Sequence, residues 1–236
     1  MAVPENSREP EIDSRRARSA LRRPSHLAGP APDLFALPEG AEGLSDEESA
    51  LAATAPRLAK IFEDLYLDGL GLACVADITA VEAGRRLGTT PLTATEKAHL
   101  DEFLWSADDD GRIEIVGATD VPGGCVITQP WGYAPEMPGV MSLLSAGTIA
   151  YGLYNNPKSG DQGCIYRDGR AERSRLSPSI PPYDDATSRE ILVGYLTRRD
   201  PVAYCCAYAG LRLPNARAVE GPPDTWLRLP ERDWWA

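Results

Sequence analysis

The apolar and polar positions change their rhythm at residue 45. Before it the few apolar residues keep no sustained period, and proline, glutamate, arginine, serine and glycine dominate. Such a stretch buries too little apolar surface to offset chain entropy, so residues 1–44 are expected to form a disordered arm. Within the arm, Ser14 to Arg23 carries Arg15, Arg16, Arg18, Arg22 and Arg23, a solvated segment or a short basic recognition helix, and RPSHLAGPAPDLFALPEG reads as a linker. From Ser45 the pattern turns helical. Ser45-Asp46-Glu47-Glu48 spells a capping box, because a serine hydroxyl can take the amide of the third helical residue while the glutamate returns to the serine amide. The helix ESALAATA is expected to stop at Pro56, which opens a second helix, RLAKIFEDLYLD, with Leu58, Ile61, Phe62, Leu65 and Tyr66 on one face. After Gly69 and Gly71, LGLACVADI reads as a buried strand. Thr79 to Glu82 and Thr93 to Glu96 repeat the capping signature, the first starting a helix that closes at Gly88, the second a helix through KAHLDEFLWSA.

Beyond Asp108 the period falls to two. Arg112–Val116, Cys125–Gln129, Thr148–Tyr154, Gly163–Arg167 and Ala171–Leu176 are predicted strands, the last two joined by Asp168-Gly169, a strong hairpin signal. Helices return over Thr187–Arg199, where Ile191, Leu192, Tyr195 and Leu196 share a face, and over Pro201–Ala209. A proline-punctuated stretch with Trp226, Trp234 and Trp235 follows. Helices, then strands, then helices is the order of an α+β fold: a small, mostly antiparallel sheet flanked by N-terminal and C-terminal helices in a single domain over residues 45–236.

Composition narrows the functions available. With 236 residues, 43% hydrophobic and 25% charged, collagen-like, coiled-coil and wholly disordered readings fail. No run reaches the ~18–20 apolar residues that span a bilayer, and the arginine-bearing start lacks an apolar signal core, so the expected location is cytoplasmic, with no membrane partner. A net charge of −11 argues against nucleic acid as the main ligand and leaves a basic protein as the expected partner. Cys74, Cys125, Cys164, Cys205 and Cys206 show no metal-ligand spacing and only His26 and His99 accompany them, so neither a metal nor a cofactor is expected. Cys74 and Cys125, set in apolar runs, read as buried hydrophobes.

The familiar catalytic signatures are absent from the sequence: no nucleophile elbow, no H-E-x-x-H, no phosphate-binding P-loop. Asp108-Asp109-Asp110-Gly111 suggests a calcium loop, but with Gly111 in its required place the terminal ligand positions fall on Ser106 and Gly117. What stands out is a polar and aromatic group around the predicted sheet. Trp131, Tyr133, Glu136, Tyr154, Asn156, Tyr166, Arg167 and Asp168 form the candidate binding face, since aromatic rings with polar tips combine contact area with orienting hydrogen bonds. Period two places Tyr151 and Tyr154 on opposite faces. No spacing singles out a carboxylate pair, so no reaction is selected.

From about Leu67 to Leu213 the segments GLACVADITAVEAGRRLG, GCVITQPWGY, LLSAGTIAYGLYNNP and YRDGR…SRLSP resemble an uncharacterised actinobacterial domain-of-unknown-function family. The resemblance implies kinship and a compact α+β fold and supplies no catalytic residue. Two functions are expected from the whole. The first is a non-catalytic protein-binding or regulatory, inhibitory (immunity-like) module that offers an acidic surface to a basic partner. The second, the alternative, is an enzyme or small-molecule binder of unrecognised type, with specialised metabolism as one setting for it and a pocket at the aromatic and polar face of the sheet.

Overall fold

The computed structural model describes residues 45–65, 69–100, 115–156, 158, 160–178 and 186–236. The arm, the end of the predicted helix past Leu100 and the acidic run at Asp108–Gly111 lie outside them. The capping box at Ser45 forms as its spacing requires: Ser45 Oγ accepts the Glu48 amide at 3.2 Å and Glu48 Oε2 accepts the Ser45 amide at 2.9 Å. The helix it starts, α1 (Asp46–Ile61), differs from the expectation of two helices, for it runs unbroken through Pro56. Its apolar face, Leu51, Ala55, Leu58 and Phe62, is buried throughout, and burial of ~1.5–3 kcal/mol per large side chain holds a continuous helix despite the backbone bond that proline forfeits.

The remaining elements are β1 (Leu70–Ala76), α2 (Ala80–Leu87), β2 (Thr90–Pro91), α3 (Ala94–Ala98), β3 (Ile115–Val121), β4 (Gly124–Pro130), a single 3-10 turn (Ala134–Glu136), α4 (Pro138–Leu144), β5 (Ile149–Asn156), β6 (Gly160–Arg167), β7 (Arg170–Leu176), α5 (Ser188–Leu196), α6 (Pro201–Tyr208), α7 (Arg217–Glu220) and β8 (Thr225–Arg228). The strands form one antiparallel sheet in the order β2-β8-β3-β4-β1-β5-β6-β7. The fold is therefore α+β, with a sheet of eight strands where a small one was expected. The hairpin read from Asp168-Gly169 is present, with both residues at positive φ, 50° and 76°, as a two-residue primed turn demands.

Each face of the sheet carries its own core. On one face Leu72, Cys74, Val126, Tyr151, Leu153 and Ile165 pack under α1, α5 and α6. Helix α6 is apolar all round and buried from Val202 to Tyr208, started by Asp200, whose carboxylate accepts the Ala203 amide at 2.7 Å. On the other face Ala73, Val75, Cys125, Ile127, Ala150, Cys164 and Tyr166 pack under α2, α4 and the chain end, including Trp234. The alternation along β1 is thus a division between two cores, which is why its run reads as uniformly apolar.

Candidate functional site

The segment that follows β4 is laid across the sheet by small residues. Trp131 turns the chain with φ of 55°, and its amide donates to the Gly69 carbonyl at 2.5 Å. A β-carbon at Gly69 would fall 2.2 Å from the Trp131 ring, one at Gly71 2.3 Å from the Gly132 carbonyl, and one at Gly152 2.5 Å from the Pro135 carbonyl. Glycines at Gly71 and Gly152 on the strands beneath let the backbone of 131–136 settle this close, and Gly69 just before β1 makes room for the Trp131 ring. Buried Gln129 anchors the segment from within, its Oε1 accepting the Ala134 amide at 2.8 Å. A non-glycine residue in the left-handed region costs about 1–3 kcal/mol, and here the surrounding packing holds it there.

The segment presents side chains at the surface. Trp131 is 38% exposed, large for a tryptophan whose backbone is so constrained. The Tyr133 ring lies 3.9 Å from that of Tyr154, centroid to centroid, tilted by 32°. Tyr154 is buried, and its hydroxyl accepts from Asn156 Nδ2 at 3.2 Å while Asn156 Oδ1 accepts the Lys158 amide at 2.8 Å. Glu136 closes the 3-10 turn beside β6, where its carbonyl sits 4.0 Å from Cys164 Sγ. Burial alone pushes the Glu136 carboxyl up to about 7, and among the described residues no donor or cation compensates its charge. Its neighbours feel the same surroundings: burial, then Glu136, drive the Cys164 thiol to about 12, and burial, Cys164 and Glu136 raise the Tyr166 phenol.

Six of the eight sequence-predicted residues, Trp131, Tyr133, Glu136, Tyr154, Asn156 and Tyr166, belong to this segment and to the sheet face under it. Two do not. Arg167 alternates with Tyr166 and so projects with Ile165 toward the opposite core, where it bears on the Tyr208 phenol and pairs with Glu172 at 3.2 Å. Asp168 is the first turn residue of the hairpin, placed there by its tolerance of positive φ rather than by any contact with the aromatic group. Tyr151 goes to the first core, as period two predicts, with Tyr204 and Tyr208 at 5.6 and 5.5 Å. The five cysteines are free and buried, with Cys74 and Cys206 sulfurs 3.5 Å apart, and burial raises the thiols of Cys74, Cys125, Cys164 and Cys205, which leaves them as packing residues.

Sequence reasoning missed a second feature on the same face. A surface groove of about 520 Å³ runs between α4, the β6–β7 hairpin and the chain end, lined by Tyr166 together with Leu143, Arg232 and Trp234. Its one sequence signal was the tryptophan-rich end, which has no period to place it.

No family model, curated protein or solved structure matches the chain. Among the described residues no group of three histidine, cysteine or acidic side chains could hold a metal ion, and no helix is long and apolar enough to cross a membrane.

Proposed function

We propose that the protein is a non-catalytic binding module of a regulatory or inhibitory, immunity-like kind, and that it docks a basic protein partner through the segment from Trp131 to Glu136. One observation carries this reading: Glu136 sits part-buried at the end of the 131–136 segment beside Cys164, and among the described residues no donor or cation meets its carboxyl. A cation delivered by a partner would restore the lost hydration, and the strength of a desolvated charge pair comes from that exclusion of water. The neighbours suit an arginine or lysine. Trp131 and Tyr133 offer ring surface to a guanidinium or to an aliphatic stem, and tryptophan and tyrosine are the residues that most often anchor interfaces. The net charge of −11 adds long-range attraction for a basic surface and speeds encounter at low salt.

Selection of displayed random peptides on the full chain tests this. Enriched peptides are expected to be rich in arginine or lysine. Their binding should weaken at least tenfold in Glu136→Gln and in Trp131→Ala, stay unchanged in Val81→Ala, and tighten as pH rises through about 7, because the cation favours ionised Glu136. Peptides without a basic bias, or binding indifferent to Glu136 and Trp131, would overturn the reading.

A further inference from the structure

We infer that the groove beside α4 is a site for a planar aromatic monocarboxylate, separate from the docking segment. The groove's volume, about 520 Å³, falls within the ~300–1,000 Å³ of small-ligand sites. Its walls supply apolar surface from Pro138, Leu143 and Ala171 and the ring of Tyr166. Its end is built around Trp234. That indole is buried on the sheet side, its Nε1 donating to the Pro230 carbonyl at 3.2 Å and its own carbonyl accepting the Gly139 amide at 2.8 Å. On its outer side the Arg232 guanidinium sits 3.4 Å from the ring centroid.

This stack dictates the ligand's chemistry. A guanidinium held at van der Waals distance over an indole directs its N–H donors along the plane rather than into the ring. Among the described residues no acceptor holds those donors, and Arg232 is exposed in the groove lining, so its forked donors are available to a ligand there. Forked donors match a carboxylate in two parallel bonds. The outer guanidinium face continues the stack for a flat ring, and the apolar walls favour a ring over an aliphatic chain of equal volume. Charge limits the anion. Arg232 has Asp233 as its neighbour in the lining, so one cation serves the groove and a doubly charged phosphate would meet uncompensated repulsion.

Calorimetric titration of the full chain with indole-3-carboxylate, and with indole as its uncharged counterpart, tests the inference. The carboxylate is expected to bind in a one-to-one ratio and indole at least tenfold more weakly. Arg232→Met, which keeps the apolar cover on Trp234, should weaken the carboxylate tenfold or more and indole, which loses only the stacking face, by less than threefold. Ala171→Phe, at an exposed edge-strand position, should fill the groove and remove both. Trp131→Ala should leave carboxylate binding unaltered, which separates this site from the docking segment. Equal affinity for the two probes, no saturation with either, or indifference to Arg232→Met would overturn the inference, and the arginine variant decides it should Ala171→Phe fail to fold.

Discussion

At the residue scale the charge state of Glu136 ties the proposed site to stability. Its carboxyl titrates at about 7 in the fold against an ordinary 4.5, so between those values the folded chain binds a proton that the unfolded chain has released. Stability from this group is complete below about pH 4.5 and declines as pH rises toward 7, the opposite sign to a salt-bridged acid. Glu136→Gln is expected to remove that decline: chemical denaturation should find the variant more stable than the parent at pH 8 and level with it near pH 4.5. Glu82 illustrates the contrary case, held down at about 2 by hydrogen bonds from Arg85 and Arg86, but it lies on the surface where such pairs stabilise little. The identity of Glu136 as a candidate could be read from its place among aromatics. Its desolvation could not, because that depends on where β6 passes.

At the element scale, local signals were the most legible part of the chain. The boxes read at Ser45 and Thr93 both form, since each involves atoms three residues apart and needs no distant partner, and the structure adds a third at Thr187 that the sequence reading did not single out. The Asp168-Gly169 hairpin follows from the same locality. At Thr79 only half the signature forms: the threonine caps the Glu82 amide at 3.2 Å, while the Glu82 carboxylate turns to Arg85 and Arg86. Pro56 shows a local rule overridden. A stop was expected there, yet the buried stripe of α1 on α5 and α6 carries the helix through. Pro56→Ala restores the missing backbone donor without touching that stripe, and is expected to stabilise the protein by roughly 1–2 kcal/mol, after allowance for the greater freedom of the unfolded alanine chain. Urea denaturation checks it. Strand β8, Thr225–Arg228, was overlooked because four residues between prolines are too few to show a period.

At the scale of the whole molecule the chain end closes the second core. Trp234 is packed with Met137, Val140 and Met141 against that face and fixes one wall of the groove. Trp234→Ala is therefore expected to cost about 3–5 kcal/mol, as buried aromatic truncations do, and to abolish carboxylate binding together with the wall. A melt shifted by several degrees with the tryptophan removed, against little change for exposed Trp235→Ala, would check it.

The sequence by itself determined where helices start, which hairpin turns tightly, that Cys74 and Cys125 are buried, and that the fold is α+β. All of these rest on neighbours a few positions apart or on the apolarity of a run. Only the tertiary structure decided that one sheet carries two cores, which of them Tyr166 joins, and that Gly69, Gly71 and Gly152 cradle the segment bearing Trp131. It also brought Arg232 and Trp234 beside a hairpin some sixty residues earlier. Close approaches of backbone to backbone, and the water they exclude, depend on strand order, and strand order is set by packing between residues that no local pattern connects.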